Sequence, residues 1–340
     1  MEVKGKKVKR CLLTGASGFF GHHLLRHLLM NTDWDIICPC SWEHKGTPER
    51  VKQALDGQDA QRVTVITHDL ATPFTDTTKK LIGDVDYILN IASNSHVDRS
   101  ITDPVSFIQG NVNLSLTILE YAREVRPELC LMFSTDEVYG AASPGVNFAE
   151  WSTLLPSNPY SASKAAQESI AISYWRTYGV PVIITNTMNL FGQAQDPEKY
   201  VAQLIRKVNN EELVTVHGRE DNIGSRFYLH ARNAADAVLF IVDKLKPTKY
   251  EEDVVDRPDR YNIVGDIELD NLTLAKKVAD MLGKDLKYEL SDFHHGRPGH
   301  DRRYALDGNK LKEAGWAAPH GFEDSLKSTI DWTLNNPLWL

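Results

Sequence analysis

Tyr160 and Lys164 stand four positions apart at the start of a predicted helix, so they share one of its faces. An ammonium beside a phenol favours the phenolate, lowering a pKa of about 10 toward neutrality, and such a phenol can take the proton of an alcohol. The blander alternative is an exposed aromatic beside a solvated lysine. Two adjacent acids, Asp136 and Glu137, follow Ser134 and Thr135 at the end of an apolar stretch. Consecutive residues leaving a strand face different directions, so one carboxyl can take a proton while the other gives one, as an elimination requires. A surface turn with two solvated acids is the alternative for that pair.

Gly15, Gly18 and Gly21 form Thr-Gly-x-x-Gly-x-x-Gly directly between an apolar strand and a helix. Missing side chains there permit a tight turn and the close approach of a pyrophosphate, so a dinucleotide site is expected. Phe19, Phe20 and Ala92 complete its predicted contacts, with Asp69 and Leu70 on the adenine side. An NAD site usually closes its second strand with an acidic residue. Here that strand ends Cys38-Pro39-Cys40-Ser41, with no carboxylate. Ser41, His44, Lys45 and Arg50 are close enough in sequence to face a 2'-phosphate, so the reading of this NAD(P)+ site leans to NADP. The alternative is a solvated loop that discriminates poorly.

The elements around these residues alternate. Strands are predicted at residues 8–13, 35–40, 62–67, 87–92, 129–134 and 180–187, with helices at 19–30, 104–125 and 161–178. Asp103-Pro104 supplies a helix cap followed by proline at the first helical position, and Pro127 stops that helix. This rhythm predicts an α/β fold, a Rossmann-type doubly wound parallel sheet. After Gly192 the pattern is irregular, with helices near 201–209 and 231–245, an acidic loop at 246–259 and a helical region from 272. The expected division is a dinucleotide-binding domain over 1–190 and a smaller, partly interleaved substrate-binding region over 191–340, with ligand at the strands' carboxyl ends.

Composition narrows the partners. A formal charge of -8 over 340 residues argues against nucleic acid, although a few local cations and a helix N-terminus suffice for a diphosphate. The longest purely apolar run, 237–242, falls far short of the roughly 20 residues of a membrane span, so no membrane partner and a cytoplasmic location are expected. Cys11 and Cys130 fall in apolar strand patterns, and no second Cys/His pair at zinc-like spacing accompanies Cys38 and Cys40. Adjacent histidines in a helix point in different directions, so His22-His23 and His294-His295 read as solvated or packing residues. No metal is expected.

The chain resembles the extended short-chain dehydrogenase/reductases, within them the dTDP-glucose 4,6-dehydratase type. The resemblance is carried by Thr-Gly-Ala-Ser-Gly-Phe-Phe-Gly at 14–21, Ser-His-Val-Asp-Arg-Ser at 95–100 and Ser-Thr-Asp-Glu-Val-Tyr-Gly at 134–140. Tyr-Ser-Ala-Ser-Lys at 160–164, Pro-Glu-Lys at 197–199 and Arg-Pro-Gly-His-Asp-Arg-Arg-Tyr at 297–304 continue it. It implies conversion of a nucleotide-diphosphate hexose, dTDP-glucose first among candidates, to a 4-keto-6-deoxy sugar on a tightly held cofactor. By resemblance, Tyr160 deprotonates the C4 hydroxyl as hydride leaves C4, Thr135 bonds that oxygen, Glu137 removes the C5 proton, and protonated Asp136 releases the C6 hydroxyl before hydride returns to C6. Resemblance also suggests Lys199, Arg226 and Arg297 as the diphosphate clamp, with Ser95, His96, Asn189, His300 and Tyr304 on the substrate side. The family's usual Ala-Ala-Glu appears as Ala92-Ser93-Asn94, and its Asn-Asn-Tyr-Gly-Pro as Asn189-Leu190-Phe191-Gly192-Gln193, which leaves base and hexose open. An epimerase, a decarboxylase, a dehydratase stopping at an unsaturated sugar, or a silent dinucleotide sensor are the alternatives. Apolar residues on more than one face of 104–125 and 161–178, including Leu114, Ile118, Tyr174 and Trp175, suggest a homodimer through a four-helix bundle.

Overall fold

The computed structural model describes residues 7–252, 254–292 and 299–340. Its first part runs β1 (Arg10–Thr14), α1 (Phe19–Asn31), β2 (Asp35–Cys40), α2 (Pro48–Leu55), β3 (Val63–Thr67) and α3 (Asp76–Ile82). It continues with β4 (Tyr87–Asn90), α4 (Val97–Thr102), α5 (Pro104–Val125), β5 (Leu129–Thr135), α6 (Pro159–Tyr178) and β6 (Val182–Thr187). The strands lie in the order β3-β2-β1-β4-β5-β6, all parallel, and Asp259–Ile263 pairs with β6 as a seventh. Chain order reverses between β1 and β4. In an open parallel sheet that switch point leaves a crevice at the carboxyl ends.

Both faces of the sheet are covered, which is why its strands read as continuous apolar runs. One layer packs Leu24, Leu25 and Leu28 of α1 with Val238 and Ile241 of helix Ala231–Lys244. The opposite layer joins α3, α5 and α6. Leu114, Ile118, Tyr174 and Trp175 belong to that second layer and are at most 9% exposed. The side chains that suggested a pairing surface are therefore consumed within the chain's own core. The helix ends follow local rules. Asp103 caps α5 above Pro104, and Asn158 caps α6 in a reciprocal box with Ser161.

Asn189–Phe191 leaves β6 at once and pairs with Ser225–His230, which in turn pairs with Glu268–Asp270. A second three-stranded sheet contains Tyr288–Ser291, Val214–Arg219 and Asn222–Ile223. Helices Tyr200–Asn209, Asn271–Leu282 and Phe322–Leu334 close a third apolar core with these strands. This later part hangs from the carboxyl end of β6 and faces the switch point.

The four cysteines are free and buried. Among the described residues no group of three or more His, Cys, Asp or Glu gathers as a metal site, and no helix is long and apolar enough to cross a membrane. His22 and His23 do not diverge as adjacent helical residues were expected to. Their ring centroids lie 4.1 Å apart, His23 also packs toward His230, and burial pushes all three below the usual histidine range. The rings pack together, His23 bonding the Gln193 carbonyl and His230 the Arg232 amide. His294 and His295 lie outside the described residues.

Candidate active site

A cavity of about 860 Å³ runs along the carboxyl ends of β1, β2, β4 and β5. Gly15, Gly18, Phe19, Phe20 and Gly21 line it, with Ala92 directly against Gly15, and so do Ser41, His44, Lys45, Asp69 and Leu70. The glycines are required by contact. A Cβ on Gly21 would stand 1.9 Å from the Gly15 carbonyl oxygen, and one on Gly15, at φ +74°, would meet the Ala92 nitrogen at 2.9 Å. Thr14 holds this junction closed by donating to Asn90 and accepting from the Ile91 and Ala92 amides. No side chain caps α1 at Gly18, so its first amides are left to face an anion. The cradle therefore fits a dinucleotide pyrophosphate.

The cations expected to face a 2'-phosphate are disposed otherwise. Arg50 is wholly buried and donates to the Ala194 and Lys45 carbonyls and to Asp196. Lys45 pairs with Asp196 at 3.4 Å and Glu198 at 3.1 Å. Both charges are thus matched by the 193–199 segment, which weakens the case for a second phosphate there.

Thr135, Asp136, Glu137, Tyr160 and Lys164 all line the same cavity. Asp136 and Glu137 begin a 3-10 turn, Asp136–Tyr139, at the end of β5, and Tyr160 and Lys164 sit in the first turns of α6. The Thr135 hydroxyl donates to Asp136 at 2.7 Å and accepts from the Glu137 amide at 3.3 Å. Burial and the neighbouring Glu137 charge push Asp136 up to about 7. Glu137 is raised by burial, against the hydrogen bond from Asn158 at 3.3 Å and the charges of Arg226 and Lys199. An acid that holds its proton thus stands next to one that yields it more readily, the division of labour that paired carboxyls need.

One expectation is corrected. Lys164 donates to the Phe133 carbonyl at 2.7 Å and to Gln167 Oε1 at 2.6 Å, and burial lowers it to about 8. The Tyr160 phenol is pushed up by burial and by Glu137 rather than down toward phenolate. The ammonium is turned to Phe133 and Gln167, and burial governs the phenol.

On the substrate side Ser95, His96, Asn189 and Lys199 line the cavity. His96 pairs with Glu198 at 3.1 Å, and burial lowers Lys199 despite the attraction of Glu137. Tyr304 is buried, with its hydroxyl 3.5 Å from Glu137. Arg226 and His300 stand behind this wall. Arg226 donates to the Ser225, Asp301 and Arg302 carbonyls and lies over the Tyr304 ring, while His300 bonds Asp98. Arg226 so holds the 301–304 loop instead of projecting as a clamp. Arg297 lies outside the described residues. Sequence reasoning passed over Asn158, which caps α6 and donates to both Glu137 and the Gly299 carbonyl. Its signal was the Asn-Pro pair just before Tyr160, legible as a cap but not as a partner of Glu137.

Residues 11–263 match the family described as NAD dependent epimerase/dehydratase. The chain is 34% identical to Agl12, a low-salt glycan biosynthesis protein of Haloferax volcanii, over 96% of this chain and 98% of that one. It is 33% identical to a probable dTDP-glucose 4,6-dehydratase of Sinorhizobium fredii, over 97% and 94%. The dTDP-glucose 4,6-dehydratase of Streptomyces venezuelae, solved with NAD and TYD bound, superposes with a TM-score of 0.85 at 30% identity, covering 97% of this chain and 98% of that one. The chain belongs to the NAD dependent epimerase/dehydratase family, as an extended short-chain dehydrogenase/reductase of the nucleotide-sugar 4,6-dehydratase type.

Proposed function

We propose that this protein is a nucleotide-sugar 4,6-dehydratase that converts a nucleotide-diphosphate hexose, dTDP-glucose the leading candidate, to its 4-keto-6-deoxy form. The observation that carries the reading is the convergence of Thr135, Asp136, Glu137, Tyr160 and Lys164 on one cavity beside the glycine cradle. Epimerisation needs C4 oxidation alone, whereas a proton-retaining Asp136 next to Glu137 is equipment for expelling water. A silent dinucleotide sensor would have no use for it.

A dinucleotide held by Gly15, Gly18, Phe19, Phe20, Gly21, Asp69 and Leu70 supplies a cationic nicotinamide that accepts a hydrogen and two electrons from C4 and gives them back. With Lys45 and Arg50 already matched by carboxylates, the reading now favours NAD over NADP. As the phenolate that the cationic ring beside it would favour, Tyr160 takes the C4 hydroxyl proton, and Thr135 bonds the same oxygen. The resulting 4-keto group acidifies the C5 hydrogen. Glu137 removes that proton, Asp136 donates its own to the departing C6 oxygen, and Glu137, after exchange with solvent, returns a proton to C5 as C6 regains its hydrogen. Lys199 on the cavity wall meets the diphosphate, with Ser95, His96 and Asn189 toward the sugar and nucleoside. A homodimer across the outer face of α5 is part of the reading, since Leu116 is exposed there beside a groove lined by Pro73, Phe74 and Tyr121.

The test is a panel of nucleotide hexoses followed by mass spectrometry for loss of water, run with wild type, Tyr160→Phe and Glu137→Gln. Wild type turns over at least one hexose, Tyr160→Phe is almost inert, and Glu137→Gln binds substrate but eliminates roughly 100-fold more slowly. Full activity in Glu137→Gln contradicts the assigned role.

A further inference from the structure

Behind the turn that carries the two acids lies a charged pair that the reaction does not itself use. Arg260, on strand Asp259–Ile263, and Glu168, one helical turn after Lys164, are each 1% exposed and meet at 2.8 Å. Burying such a pair is costly unless its remaining donors and acceptors are engaged. Here, apart from Arg260 Nε, which finds no hydrogen-bond partner among the described residues, they reach both ends of the acidic turn. Glu168 Oε1 accepts from the Asn186 amide at 2.8 Å, and the same amide group donates to the Thr135 carbonyl at 3.0 Å. Arg260 Nη1 donates to the Tyr139 hydroxyl at 3.1 Å, and that hydroxyl donates to the Glu150 carbonyl at 2.7 Å. The guanidinium also lies 4.2 Å over the Trp151 ring.

We propose that Glu168 and Arg260 are positioning residues for this site: together they pin Thr135 at one end and Tyr139 at the other, so that Asp136 and Glu137 are held at fixed angles to Tyr160. The proposal deepens the dehydratase reading and rests on it. Glu168 has a second effect, because it shares a helix face with Lys164 and its negative charge opposes the burial that lowers that ammonium. The other titratable groups on the Lys164 side are Tyr160 on the same helix and Asp136 and Glu137 on the turn. On the Glu168 side they are Arg260 and Tyr139. Glu168→Gln keeps the acceptor for Asn186 but removes the charge and turns an amide donor toward Arg260.

The experiment compares wild type, Glu168→Gln and Glu168→Gln/Arg260→Gln as full chains. Lys164 acylation by acetic anhydride is followed against pH by mass spectrometry, beside kcat, KM and thermal melting. The wild-type labelling midpoint lies near 8, and both variants label with a lower midpoint. kcat falls roughly 10- to 100-fold, the scale of a misplaced reacting group, while KM stays within about twofold. Should the single variant fold poorly through its stranded arginine, the double variant removes both charges and regains melting temperature without regaining kcat. Midpoints equal to wild type, or kcat recovered along with stability in the double variant, overturn the proposal. A wild type that turns over no hexose would fail the dehydratase reading instead, and the labelling midpoint would still decide whether the pair acts on Lys164.

Discussion

At the scale of single residues, the site stores its chemistry as displaced proton affinities. Asp136 rises from the ordinary carboxyl value of 3.8 to about 7 because burial and Glu137 disfavour its charge. A carboxyl whose folded-state pKa exceeds its unfolded one binds an extra proton on folding, so the stability present below about pH 4 is lost as pH rises through 7. Asp136→Asn should therefore stabilise the protein at pH 8, by an amount on the order of 4 kcal/mol at most, and change little at pH 4. Melting curves at the two pH values check this, and equal shifts at both would contradict it. The candidate acids and the Tyr160/Lys164 pair were legible because their spacing is local. The carbonyl that bonds Lys164 was not, since Phe133 lies on a strand 31 positions away.

At the scale of elements, the cofactor cradle depends on how closely α1 approaches the end of β1. Gly21 lies inside α1, where the added methyl of Gly21→Ala would fall on the Gly15 carbonyl. Overpacking of this kind costs about 1–3 kcal/mol, and here it also pushes the helix N-terminus away from the pyrophosphate. Protein purified with this change should melt lower and carry less nicotinamide dinucleotide by absorbance than wild type. Unchanged cofactor content would place the pyrophosphate elsewhere. Caps such as Asn158-Pro159 and Asp103-Pro104 could be read from sequence, because a helix N-terminus is a matter of three or four residues. The 193–199 segment could not. Its Asp196 and Glu198 reach back to Lys45 and Arg50 across some 150 positions, and that long-range pairing moves the cofactor reading from NADP to NAD.

At the scale of the whole molecule, the alternating strands and helices of the first part announced the parallel sheet. What spacing alone left open was how the later part joins it. Strand Asp259–Ile263 crosses back to become the seventh strand and brings Arg260 behind the acidic turn. The apolar faces of α5 and α6 were misjudged for a related reason. Trp175 looked surplus on a surface helix, yet its indole donates to the Thr248 carbonyl of the loop that covers it. The dimer proposal now rests on Leu116 and its groove, and sedimentation should give about twice 38.3 kDa. A mass that stays at one chain at every concentration would reject it.

The central claim is that oxidation at C4 and loss of water across C5 and C6 occur in one cavity on one hexose. The direct measurement uses a nucleotide hexose carrying deuterium at C4 in ordinary water, and the unlabelled sugar in heavy water. The account predicts the C4 label recovered at C6 of a 4-keto-6-deoxy product in the first, and solvent deuterium at C5 in the second. Recovery of a C4 epimer, or release of carbon dioxide, would contradict it.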